Sequence, residues 1–160
     1  MKNQIELQEN IYFFIHQKEL EKILIRLLKF LFKRSKVFLN LRIVDNKNIQ
    51  EINNHTRCKN KPTDVLSFPA PDIPSPFKYL GEIIISYETL IIQAEEIGHS
   101  KEDEFYRLLV HGVLHLIGYD HEISESEEKR MQKKEDECLE YLYSIKNKKH
   151  NVKLQSGNVQ

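Results

Sequence analysis

The sequence predicts a single domain that combines a sheet with helices. This follows from three features. A chain of 160 residues suffices for one sizeable core. Between Val37 and Val44, the residues Val37, Leu39, Leu41 and Ile43 share one face while Asn40 and Arg42 take the other, the period of a strand. Between Lys18 and Lys33, the residues Leu20, Ile23, Leu24, Leu27, Leu28 and Leu31 recur at spacings of three and four, the period of a helix. With 40 % hydrophobic and 30 % charged residues, the composition is that of an ordinary globular domain.

Taken in order, the apolar run Ile11 to Ile15 predicts a short strand. The helix over 18–33 follows, and its basic end, Lys33-Arg34-Ser35-Lys36, suits a helix C-terminus. After the strand at 37–44, a short helix is expected over 49–54 and another strand over Thr63–Phe68. Pro69, Pro71, Pro74 and Pro76 then exclude helix and central strand. They define a loop that is either a wall or lid of a groove or a rigid connection. Leu80–Ser86 reads as a strand whose Ile83-Ile84-Ile85 run implies burial on both faces. A helix over Glu88–Ile97 ends at Gly98, and Ser100 with Asp103 forms a capping pair for a helix over Lys101–Ile117. Ser124 and Glu127 repeat that pattern before a final helix with Met131, Cys138, Leu142 and Ile145 on one side. The domain is expected to span residues 1–145, with 146–160 a polar, lysine-rich tail expected to be disordered.

Chemistry concentrates between positions 111 and 121. His111 and His115 stand one above the other on one helix face, Gly118 lets the chain leave the helix, and His121 can return a third imidazole. The surrounding Leu108, Leu109, Val110, Val113, Leu114, Leu116 and Ile117 are all apolar. An unpaired polar group buried there costs about 1–3 kcal/mol, whereas a metal takes up the imidazole lone pairs. Three protein ligands leave the fourth position of a tetrahedral Zn2+ open, as a catalytic site requires. Manganese or iron accepts imidazole too, usually with more oxygen ligands. The expectation is a hydrolase with one Zn2+ per chain. His111, His115, Gly118 and His121 are also in register with the metzincin protease motif H-E-x-x-H-x-x-G-x-x-H. However, Gly112 stands where those proteases carry their glutamate base. Glycine inside a helix costs about 1 kcal/mol relative to alanine. Close packing or access beside the metal is therefore expected to need the missing side chain.

Formal net charge is zero, so nucleic-acid binding would have to rely on a local basic patch. No apolar stretch approaches a membrane span, and Met1–Glu6 lacks the pattern of a signal peptide. Cys58 and Cys138 form no motif, which makes reduced thiols and a cytoplasmic location the expectation.

Four stretches carry a more specific signal: the run His111–His121 with glycine at its second position, Thr63-Asp64-Val65-Leu66-Ser67-Phe68-Pro69, Leu80-Gly81-Glu82-Ile83-Ile84-Ile85-Ser86, and Gly98-His99-Ser100. In order and spacing they resemble the YbeY family of bacterial ribosomal-RNA maturation factors, over residues 35–145. The resemblance implies a single-domain α+β fold, a small mixed sheet packed by helices, with zinc on His111, His115 and His121. It implies a zinc-dependent, single-strand-specific endoribonuclease acting in ribosome maturation, at the 3′ end of 16S rRNA. Single-stranded RNA, the ribosome, small-subunit assembly components and assembly GTPases are the partners it implies. Arg57 occupies the place of the family's arginine ahead of T-D-V-L-S-F-P; taken alone it would read as a surface charge. The following residue, commonly glycine in the family, is Cys58, which leaves the loop geometry open; Cys58 itself reads as a bystander.

The chemistry expected of such a site is phosphodiester cleavage. Zinc lowers the pKa of bound water from about 15.7 toward about 7, supplying the nucleophile, and the planar fork of Arg57 suits two phosphate oxygens. Asp120 either orients water, partners an imidazole or caps the turn, the last being favoured; His99 is a proton donor or a capping neighbour; Glu82 is expected to pair with a basic side chain. None of the three is assigned to catalysis. Arg57, Lys59 and Lys61, with Arg34 and Lys36 near them, predict a basic patch for RNA. Phe68, Phe77 and Tyr79 are candidates to stack on unpaired bases, against the plainer reading of each as packing. The rival readings are a zinc metalloprotease-like hydrolase and a non-catalytic ribosome-assembly factor.

Overall fold

The computed structural model describes residues 2–33 and 36–157, the last side chain being that of Lys148. Among the described residues, the order is β1 (Gln4–Leu7), α1 (Gln17–Leu31), β2 (Lys36–Val44), α2 (Asn46–Arg57), β3 (Val65–Pro69), β4 (Phe77–Ser86), α3 (Tyr87–Ile97), α4 (Lys101–Leu116) and α5 (Glu125–Gly157). The strands form one mixed sheet in the order β1-β2-β4-β3. β2 lies parallel to both β1 and β4, and β3 runs antiparallel to β4 on the outer edge.

Helices cover both faces of this sheet. Leu39, Leu41, Ile43, Ile83 and Ile85 join the main core, with Leu20, Leu24 and Leu27 of α1 and Leu108, Leu109 and Val113 of α4. Ile84 points the other way, into a smaller cluster with Val44, Leu66 and Ile49 of α2. The Ile83-Ile84-Ile85 run is thus buried on both faces because successive side chains alternate across a strand. α5 closes the main core against α1 and α4; Phe30 stacks on Tyr141 at 4.5 Å, and the Tyr143 hydroxyl donates to Asp103 Oδ1 at 2.6 Å.

Several expectations need correction. Ile11–Ile15 is not a strand: it has no alternation to spare and packs irregularly, with Phe13 edge-on to Phe105 at 5.3 Å and Ile15 buried. The edge strand is instead Gln4–Leu7, whose polar–apolar alternation pairs in register with Asn40–Ile43. α2 is longer than expected, since only Ile49 and Asn53 are buried and so thin an apolar stripe does not mark the helix ends; Asp45 caps it, accepting from Asn48 N at 2.9 Å. β4 starts at Phe77, which shortens the proline loop to 70–76, and Pro69 ends β3, where an edge strand tolerates its missing N–H. α5 continues past Lys146 to Gly157, so the stretch expected to be a disordered tail is helical there. No proline or glycine interrupts it before Gly157 to break the intrahelical hydrogen bonds. Residues 158–160 and Arg34 fall outside the described residues.

Gly81 positions the edge of the sheet. The register steps from Phe38 opposite Tyr79 to Asn40 opposite Glu82, so β4 carries one extra residue, a bulge. Gly81 has φ +129, and a Cβ there would lie 2.1 Å from the Phe68 carbonyl oxygen. Only glycine permits this approach between β3 and β4.

Candidate metal centre

α4 begins at Ser100, whose side chain accepts from Asp103 N at 3.1 Å, and it ends in a Schellman turn. Gly118 N donates to His115 O at 3.1 Å and Tyr119 N to Leu114 O at 3.0 Å, with Gly118 at φ +102. This turn folds the chain back so that His121 meets the histidines of the last two turns. One ring nitrogen from each of His111, His115 and His121 lies within 4.8 Å of the others. His111 Nε2 and His115 Nε2 are 3.0 Å apart. Two nitrogens on a tetrahedral zinc with bonds of about 2.0–2.1 Å stand about 3.3 Å apart, so the cluster has the dimensions of such a donor set. His111 Nδ1 faces Glu135 Oε1 of α5 at 2.7 Å, which orients the ring and leaves Nε2 toward the centre. Burial, reinforced by the neighbouring His111 and His121, holds the His115 pKa below its ordinary value and favours the neutral, ligating form. In donor chemistry and spacing, the three residues fit a divalent ion that prefers imidazole.

The glycine after His111 now has a physical reason. A Cβ on Gly112 would come within 3.1 Å of Ile83 Cγ2 and 3.3 Å of Ser67 Oγ. Ser67 Oγ donates to the Gly112 carbonyl at 3.2 Å. Of the two expected explanations, close packing against β3 and β4 accounts for it. A glutamate at this position would be aimed at the sheet.

The centre opens into a cleft of about 560 Å³ whose walls include Arg57, Asp64, Ser67 and Asp120 besides the three histidines. Arg57 closes α2, donates from Nη2 to Ser67 O at 3.2 Å and lies 5.7 Å from the Phe68 ring centroid. The structure therefore brings Arg57 to the histidines, some 54 positions away in sequence. Cys58 follows as the C-cap of α2 in the left-handed conformation (φ 56, ψ 31) that a glycine would take, so the loop keeps a glycine-like course. Asp120 Oδ1 accepts from Glu122 N at 2.9 Å and caps the turn, while its residue also lines the cleft. His99 faces Glu104, 2.6 Å away, and Glu82 pairs with Arg42 at 3.3 Å. Lys59 and Lys61 are exposed beyond Arg57; Lys36 lies over Phe77, and Tyr79 stacks on Phe38.

Sequence reasoning missed two carboxylates. Glu104 is fully buried within α4, where it pairs with Arg107 and faces His99, and as the third acidic residue of the run Glu102-Asp103-Glu104 at a helix start it carries no signal for that, since such a run reads as an exposed first turn. Glu135 had one: it falls four residues after Met131 and three before Cys138, in the apolar stripe of α5.

Fold and site together define a small mixed α/β domain with three imidazoles converging at the end of its central helix, the plan of a metallohydrolase. Residues 4–143 match the family model described as Endoribonuclease YbeY. A protein named Endoribonuclease YbeY from Leptospira interrogans serogroup Icterohaemorrhagiae serovar Lai is 48 % identical, over 73 % of this chain and 98 % of its own length. Its namesake from Aquifex aeolicus is 47 % identical over 66 % of this chain and 71 % of its own. The solution structure of TM1509 from Thermotoga maritima superposes with a TM-score of 0.65 at 28 % identity, covering 91 % of this chain and 92 % of that one. The chain belongs to the YbeY endoribonuclease family. No helix among the described residues is long and apolar enough to cross a membrane.

Proposed function

We propose that the protein is a zinc-dependent, single-strand-specific endoribonuclease of ribosomal-RNA processing. Its site of action is the 3′ end of 16S rRNA, in the cytoplasm, with small-subunit assembly components as partners. The observation that carries this reading is the meeting of His111, His115 and His121 with Arg57 in one cleft. Bound by the three imidazoles, Zn2+ would supply Lewis acidity and an acidified water near neutral pH. The chain supplies the rest. Glu135 orients His111, and burial keeps His115 in its neutral form. Arg57 offers phosphate a planar fork of N–H donors, and its tether to Ser67 O sets its position before substrate arrives. With Asp120 engaged in the turn and Gly112 packed on the sheet, no side chain is assigned as general base. The same packing of Gly112 argues against the protease reading.

The test is metal content of the purified protein together with cleavage of single-stranded RNA before and after chelation. One zinc per chain and chelator-sensitive cleavage are expected, both lost in His115→Ala. Arg57→Ala is expected to abolish cleavage while metal content stays at one. Absence of bound metal overturns the reading, and zinc without cleavage favours an assembly factor.

A further inference from the structure

A second groove, of about 600 Å³, adjoins the cleft. Pro69 lines the cleft and Ala70 the groove; Gly118 and Tyr119 line the groove, Asp120 and His121 the cleft. The two depressions therefore share two walls, each only consecutive residues thick. Their charges differ. The cleft sets Arg57 alone against Asp64, Asp120 and Glu122. The groove sets Lys78, Arg130 and Lys134 against Asp72 alone. With the two charges of a zinc ion on the histidines, the cleft would come out near neutral, so the further cations able to hold a polyanion that crosses it lie next door. These cations are steadied by aromatic rings: Arg130 sits 4.4 Å from the Tyr119 centroid and Lys78 5.5 Å from that of Phe32. Tyr79, stacked on Phe38, is 37 % exposed and adds a planar face to the wall. Cations interleaved with planar faces are what single-strand binders present to a backbone and its bases. Glu127 and Glu137 pair with Arg130 and Lys134 at 3.0 and 3.2 Å, but neither lines the groove, and surface pairs of this kind yield to phosphate.

We propose that this groove, anchored by Lys78 of β4 and by Arg130 and Lys134 of α5, holds the single-stranded RNA that flanks the scissile phosphate. The identity of the ligand rests on the ribonuclease reading, which the groove deepens with a subsite outside the metal centre.

Fluorescence anisotropy of a phosphorothioate-protected, unstructured RNA of about a dozen nucleotides tests it, with affinity followed across a salt series on the full chain. In Arg130→Gln/Lys134→Gln, affinity is expected to fall and the log–log salt slope to become shallower by about 1.4, at about 0.7 per phosphate on a single strand. Lys78→Gln, an exposed position on the opposite wall, is expected to cost about 0.7 of slope, and it carries the test if the double variant does not fold. Unchanged affinity and slope in both variants, or no binding by the parent, overturns the proposal. Cleavage by a parent whose variants bind RNA equally well removes the groove and leaves the ribonuclease reading standing. A loss of slope in a protein that cuts no RNA does the reverse.

Discussion

Glu135 stands where the spacing of Met131, Cys138 and Leu142 calls for an apolar side chain, and its Oε1 lies 2.7 Å from His111 Nδ1. A half-buried carboxylate in that place orients the imidazole. Glu135→Ala is expected to weaken metal binding by about 10–100-fold, read by competition against a chromophoric chelator, with the fold retained. The three histidines were legible because helix geometry converts a spacing of four directly into a shared face. Glu135 was not assigned, because nothing local says which element α5 packs against. The thiols separate in the same way. Burial pushes the Cys138 pKa up to about 11, whereas Cys58 is exposed. Alkylation of the native protein near neutral pH is expected to add one label, at Cys58, with a second only after unfolding; mass spectrometry counts them. Two labels on the folded chain would contradict the buried position of Cys138.

Among the elements, those with a wide apolar stripe were legible: α1, β2 and α4 match their expected ranges to within two residues, and β4 is recognisable from its isoleucine run. α2 was legible only as a short helix over 49–54 and β1 not at all, because each buries too few residues for periodicity to mark its ends. The junctions between elements carry the strain. Cys58 holds a left-handed conformation that costs a non-glycine residue about 1–2 kcal/mol. Cys58→Gly is therefore expected to stabilise the protein by up to about 1 kcal/mol after the added entropy of the unfolded chain is counted, measured by urea unfolding. At the β4 bulge the opposite holds. Gly81→Ala would place a Cβ 2.1 Å from Phe68 O at a φ that alanine disfavours. A loss of at least about 2 kcal/mol is expected from the same measurement, and a neutral outcome would show that β3 and β4 do not approach as closely as described.

For the whole molecule, charge ties distant elements together. The Tyr143 hydroxyl from α5 lowers the Asp103 pKa at the start of α4, and the Asn48 backbone N–H, followed by the Gln8 side chain, lowers that of Asp45. Both carboxyls release protons more readily in the folded chain than at the ordinary value of 3.8. The unfolded chain therefore binds more protons on acidification. This contribution to stability is complete above 3.8 and is lost as pH falls through the lower folded values. Tyr143→Phe is expected to flatten that acid limb, seen as a smaller difference between urea midpoints taken above and below 3.8. An unchanged limb would deny Asp103 its part. By itself, the sequence determined the mixed strand and helix content, the helix bearing His111 and His115 with its glycine turn, and the four stretches on which the family resemblance rests, because each is a matter of spacing along the chain. Only the tertiary structure decided that α2 delivers Arg57 to the histidines, that α5 delivers Glu135, that Gly112 packs tightly on the sheet, and that a cationic groove adjoins the cleft. Such contacts join residues tens of positions apart, and which faces meet depends on how the apolar stripes of all the elements are buried at once.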